Sequence, residues 1–143
     1  MNKQTLKATK GGDIKREWYI VDIKNKILGR ESSNIATLLT GKKKPYFVRN
    51  LDCGDFVVVI NCKDVVVTGS KETEKLYGNY SGYPGGLKQK PLWQIRKEKP
   101  TELVRHAVSG MLPKNKLRDR LLTRLYVYAD EKHPYKEQVE NKK

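Results

Sequence analysis

Nowhere in the 143 residues does an apolar run approach the roughly 18 positions that a membrane-crossing helix needs. The N-terminus also lacks the apolar stretch of a signal peptide. The expected compartment is the cytosol or an equivalent reducing space. Cysteine is scarce: the chain holds two, Cys53 and Cys62, expected there as free thiols. They form no CxxC pair, and only His106 and His133 could join them, so a four-ligand zinc site is not expected. No Gly-x-Ser-x-Gly surrounds Ser32-Ser33, which leaves a nucleophile elbow without support. No glycine-rich turn ends in Gly-Lys-Ser/Thr, and no spaced-glycine dinucleotide fingerprint occurs. Asp22, Asp52, Asp55 and Asp64 are the carboxylates that magnesium-dependent phosphoryl chemistry would need. At strand ends and turns, aspartates serve more often as caps and turn formers. There is no internal repeat and no low-complexity tract. Acid itself is in short supply, at 16 Asp+Glu against 30 Lys+Arg, which leaves a formal charge of +14 and a pI near 9.8.

That surplus of cations is the main thing present. It points to a nucleic-acid partner, or less often to an anionic membrane surface, for which nothing else in the chain argues. Hydrophobic content of 37% and charged content of 32% describe a polar but foldable chain. Its length is that of one domain, able to bury about 68–70% of its unfolded surface. Residues 1–16 hold five cations against Asp13 and read as a basic arm that orders on RNA. Residues 17–130 read as a single α/β domain, and residues 131–143 as a polar, fraying tail.

Within the domain, residues 18–23 (WYIVDI) predict a strand. A helix is expected over about 30–39, with Ile35, Leu38 and Leu39 as its buried stripe. Gly41 ends it, and Lys42-Lys43-Lys44 then sit where cations suit a helix C-terminus. The nearly continuous apolar run 56–60 (FVVVI) predicts a strand covered on both faces. Residues 65–67 are a further strand candidate, and 70–90 read as a long, mostly irregular excursion carrying Tyr77, Tyr80 and Tyr83. A short helix is expected over 91–97. Pro100 then opens the best amphipathic pattern in the chain, from Leu103 to Leu112, which Pro113 stops. Asn115 caps a further short helix, and 125–129 form a closing strand. Strands alternating with helices predict an α/β fold, a three-layer α/β/α sandwich with a small, mainly parallel central sheet.

Two rigid turns and a basic band carry the functional signal. From Lys88 to Arg124 there are eleven Lys or Arg against three acids. Helical spacing aligns Lys116, Arg120 and Arg124 on one expected exposed edge, able to follow a phosphate backbone. The ordinary alternative is a solvated helix face, weakened here by the shortage of acids. Ser81-Gly82-Tyr83-Pro84-Gly85-Gly86 and Gly110-Met111-Leu112-Pro113-Lys114-Asn115 combine glycines, which admit close backbone approach, with direction-fixing prolines. The three tyrosines of the excursion can stack on splayed bases or pack equally well on the domain's own surface.

These blocks, taken in order, resemble bacterial-type large-subunit ribosomal protein thirteen, the universal uL-thirteen family. Besides the two turns, the matching blocks include Trp18-Tyr19-Ile20-Val21-Asp22, Leu28-Gly29-Arg30, Thr40-Gly41-Lys42-Lys43-Lys44-Pro45, Asp52-Cys53-Gly54-Asp55, Val59-Ile60-Asn61, Thr68-Gly69 and His133-Pro134. They span roughly residues 17–135. The resemblance implies a non-catalytic constituent of the large ribosomal subunit, located in the cytoplasmic ribosome. It implies binding to large-subunit rRNA, contacts with neighbouring large-subunit proteins and a part in subunit assembly. No cofactor, metal, membrane or small-molecule substrate is implied. Carried over by position, the RNA-facing residues are Lys42, Lys43, Lys44 and Arg49; Tyr83, Gly85, Gly86 and Lys88; and Lys114, Asn115, Lys116, Arg118, Arg120 and Arg124. Three departures from the family pattern stand out. Glu31-Ser32 replace Leu-Ala, Gly78-Asn79-Tyr80 replace Tyr-Arg-His, and Arg118 replaces a glycine, adding a charge where RNA is expected. The competing readings are an RNA-binding regulator acting away from the ribosome and a metal-dependent nuclease using Asp22, Asp52 and Asp55.

Overall fold

The computed structural model describes residues 10–140. In chain order its elements are β1 (Trp18–Asp22), α1 (Leu28–Thr40), β2 (Phe56–Ile60), α2 (Lys71–Glu74), β3 (Leu76–Tyr80), β4 (Leu87–Pro91), α3 (Leu92–Glu98), α4 (Pro100–Met111), α5 (Arg118–Leu122), β5 (Leu125–Val127) and α6 (Lys136–Glu140). The central sheet has the order β1-β2-β5 and is wholly parallel, with Trp18 opposite Phe56 and Val57 opposite Leu125. Successive crossovers step across the sheet in one direction. Connections of one hand then place their helices on one face, and α1 and α4 do pack against each other. Ile35 and Leu39 of α1 meet Leu103, Val104 and Val108 of α4 over Val57 and Val59.

The opposite face is covered differently. Val58 is also fully buried, as a strand with no polar face requires. Its cover is aromatic: Trp18 stacks on Phe56 at 4.5 Å and on Tyr135 at 5.0 Å, and Tyr126 lies 4.5 Å from Tyr135. Tyr135 belongs to the segment expected to fray. Instead that segment folds back, and α6 packs on β1. The architecture is thus α/β with both sheet faces covered, the second by rings and the short α6. Of the basic arm, residues 1–9 lie outside the described residues, as do 141–143 of the tail. Arg16 reaches Asp52 at 3.4 Å.

Two sequence expectations need correction. Residues 65–67 form no strand; a single parallel bridge joins Val66 to Ile27. Asn61 adopts a left-handed backbone and Cys62–Asp64 turn in a 3-10 helix, so the chain leaves the sheet before a ladder can start. Residues 70–90 are not irregular. They hold α2 and an antiparallel hairpin, in which Leu76 pairs with Pro91 and Tyr80 with Leu87. The hairpin carries glycine in one strand and two lysines in the other, and most of its residues are exposed. A strand with no buried face shows no period-two alternation, which is why periodicity missed it.

Candidate nucleic-acid interface

The lysine run follows α1, whose end is set by Gly41. This residue has φ +73°, and a side chain there would collide with the Cys53 carbonyl. The Gly41 N–H donates to the Leu38 carbonyl at 3.0 Å and the Lys42 N–H to that of Thr37 at 3.2 Å, closing the helix in a left-handed cap. Gly54 makes the reciprocal approach to the Leu39 carbonyl. The cap thereby presses residues 52–55 against the end of α1.

This closeness splits the run. Lys42 and Lys43 are exposed and form no ion pair among the described residues. Lys44 turns inward, and its ammonium donates to Asp55 at 2.5 Å, to the Cys53 carbonyl at 2.9 Å and to the Lys15 carbonyl at 2.7 Å. Asp55 also accepts the Glu17 N–H at 2.9 Å, and its side chain is 4% exposed. Lys44 therefore ties residues 15–17 to the 52–55 loop. Arg49, further along the loop, is exposed without an ion-pair partner among the described residues.

The second basic segment divides in the same way. Pro113 ends α4. Asn115 then accepts the Leu117 N–H on its side chain at 3.1 Å and the Arg118 N–H on its carbonyl at 3.1 Å, which starts α5. Leu121 packs into the core, while Lys114, Lys116 and Arg120 are exposed with no ion-pair partner among the described residues. Arg124 does not join them. The helix ends at Leu122, so helical spacing no longer applies, and Arg124 is buried as a two-pronged partner of Asp52. The expected edge of Lys116, Arg120 and Arg124 is corrected: Lys116 lies in the turn before α5 and Arg120 on the helix, both exposed, while Arg124 is lost to the interior. Burial pushes the Asp52 carboxyl up, but the Arg124 hydrogen bonds and charge, with Arg16 beside them, outweigh it and hold the group below its ordinary value. Arg118 donates to the Ser109 carbonyl at 2.7 Å and hydroxyl at 2.6 Å. Its charge fastens α5 to α4.

The glycine turn is the tip of the hairpin. Gly82 and Gly85 have φ of +89° and +72°. The Gly86 N–H donates to the Tyr83 carbonyl at 2.9 Å, and the Ser81 N–H to that of Gly86 at 3.3 Å. Tyr83 is 75% exposed and Tyr80 62% exposed, with Lys88 exposed behind them. Tyr77 takes the other course, meeting His106 edge-on at 5.0 Å and lying under the Lys75 ammonium. One tyrosine of the three thus packs on its own domain, and two face outward.

Two of the three segments converge. Lys42 and Arg49 from the loop, and Asn115 and Leu117 from the segment after α4, line one cleft of about 450 Å³ beside α1. The hairpin tip is not part of it. Three of the four aspartates considered for a metal are otherwise engaged. Asp52 and Asp55 hold cations, and Asp22 accepts from Asn61 and the Lys24 N–H, hydrogen bonds that lower its carboxyl below the usual value. Among the described residues no three His, Cys, Asp or Glu gather as a metal site. Burial raises the Cys62 thiol to about 11, so it stays neutral at physiological pH. No described helix is long and apolar enough to cross a membrane. Sequence reasoning missed the inward roles of Lys44, Arg118 and Arg124. The available signal was Asp52-Cys53-Gly54-Asp55, two acids close together in a basic stretch, since a buried cation must have such a partner.

Comparison with known proteins supplies the remaining constraint. The family model described as Ribosomal protein L13 matches residues 16–134. A protein of Dehalococcoides mccartyi, named large ribosomal subunit protein uL13, is 47% identical over 139 residues, which is 97% of this chain and 95% of that one. Proteins of the same name from Coprothermobacter proteolyticus (49% identical, 93% of each chain) and Solibacter usitatus (51% identical, 89% of this chain and 88% of that one) are similar to it as well.

Proposed function

The chain belongs to the ribosomal protein L13 family, and on that premise we propose that it is a non-catalytic, structural constituent of the large ribosomal subunit, in the cytoplasmic ribosome, which binds large-subunit rRNA and helps the subunit assemble. Neighbouring large-subunit proteins are its other partners. The RNA-facing set is Lys42, Lys43, Arg49, Lys88, Lys114, Lys116 and Arg120, with the backbone of Tyr83, Gly85 and Gly86 and the amide of Asn115. Lys44, Arg118 and Arg124 act one step behind, holding the loops that present the others.

The observation that carries this reading is the sorting of the cations. Lys44, Arg118 and Arg124 are held inward by acids and carbonyls, whereas Lys42, Lys43, Arg49, Lys88, Lys114, Lys116 and Arg120 sit exposed around the cleft and at the hairpin with no ion-pair partner among the described residues. Unpaired cations fixed in space neutralise phosphates and release counterions, which favours binding to a folded polynucleotide. Recognition then follows RNA shape and irregular loops rather than a linear sequence. Nuclease footprinting of large-subunit rRNA with and without the chain tests it. Discrete protected segments are expected, thinned by Lys42→Ala with Arg49→Ala. An unprotected RNA, or a footprint indifferent to those changes, would count against the reading.

A further inference from the structure

The cleft beside α1 is more than a charged surface. Phe47, Leu51, Met111 and Leu117 give it apolar surface and Lys42 and Arg49 its cations, while the one acid in its lining, Asp52, is neutralised by Arg124. At about 450 Å³ it falls within the roughly 300–1,000 Å³ span of small-ligand sites, whose pattern is also apolar walls with a few polar groups. The polar groups have free capacity. Thr37 and Thr40 donate their hydroxyl protons to their own helix, at 2.9 Å in each case, and so present lone pairs outward. Asn115 uses its Oδ1 on the Leu117 N–H, which leaves its NH2 group without a partner among the described residues. Phe47 stacks on no other ring. An occupant must therefore be flat and apolar on its faces, hydrogen-bonding at its edge, and anionic where it meets Lys42 and Arg49.

We infer that this cleft takes one unstacked nucleotide of the bound RNA, its base against Phe47 and the apolar walls, its edge toward Asn115 and its phosphates on Lys42 and Arg49. The inference rests on the RNA-binding reading above and sharpens it. Splayed bases are the elements of RNA that proteins read by stacking and edge hydrogen bonds. The complementary charge of Lys42 and Arg49 favours a nucleotide over a segment of a neighbouring protein.

The test uses the full chain and a large-subunit rRNA transcript alone, with affinity followed across a salt series. Phe47→Leu keeps the wall apolar but removes the ring. Ser33→Met with Thr37→Met fills the cleft from α1 without weakening the helix. Thermal unfolding confirms that each variant folds. Loss of a stacked base weakens binding roughly 5- to 150-fold. Phe47→Leu leaves Lys42 and Arg49 free to hold the phosphates, so for that variant the slope of log K against log salt stays at its native value. In the native complex one base within the footprint should be shielded from dimethyl sulfate and become reactive with both variants. Native affinity and native base protection in both variants would overturn the inference, as would a loss of affinity accompanied by a flatter slope in Phe47→Leu, since that loss belongs to phosphates. A native chain that fails to bind the transcript at all defeats the RNA-binding reading itself, an outcome distinct from either of these.

Discussion

The side chain of Lys44 shows how little a residue's type says about its job. It is one of three consecutive lysines, yet only its ammonium is enclosed, against a nearly buried Asp55. Removing one partner of a buried pair leaves the other charge uncompensated, at a cost of about 3–5 kcal/mol. Lys44→Met should lower stability in urea unfolding by that order, and Lys44→Met with Asp55→Asn should recover part of the loss. Lys42→Ala with Lys43→Ala should change stability by no more than about 0.5 kcal/mol, as for ordinary surface positions. Equal effects at all three lysines would erase the distinction. Asp52 makes a related prediction in pH. Its carboxyl is held below its unfolded value of about 3.8. The stability from its pairing with Arg124 is fully present above that value and is lost as pH falls through the lower folded value. Acid unfolding should be steeper there for the native chain than for Asp52→Asn, and matching profiles would refute the assignment.

Elements behave less uniformly than their residues suggest. The main helices and the buried strand β2 were legible in the sequence because Ile35, Leu39, Leu103 and Val108 recur at helical spacing and residues 56–60 are apolar throughout. The hairpin was illegible because Leu76, Tyr80 and Leu87 stay exposed, so no core imposes alternation on it. The cleft could not be read either. It forms where residues 42–51 meet residues 111–121, and no local pattern records that meeting. Arg124 misled because helical spacing was extended two residues past the end of α5. With that edge reduced to Lys116 and Arg120, Lys116→Ala with Arg120→Ala should weaken RNA binding and flatten the salt slope by roughly 0.7–0.9 per lost phosphate contact. An unchanged slope in filter binding would remove α5 from the interface. The C-terminal element has its own test. Tyr135→Ala removes three ring contacts from the aromatic cover of the second sheet face and should cost about 1–3 kcal/mol, with the Trp18 emission shifting red. An unshifted midpoint would mean that the segment adds nothing to the sheet.

For the molecule as a whole, the excess of positive charge works against compactness. The structure manages it by committing a few cations to internal acids and carbonyls, and by leaving others exposed, among them those of the loop, α5 and the hairpin. The sheet and its helices hold these sites at fixed spacing, which a flexible basic tail could not do. Such a surface makes sense when a polyanion covers it for most of the protein's life. The most direct measurement is the distribution of the chain in a lysate resolved by sucrose-gradient sedimentation. It should travel with the large ribosomal subunit and be released as salt is raised. A chain found only in the slow-sedimenting soluble fraction at low salt would contradict the account.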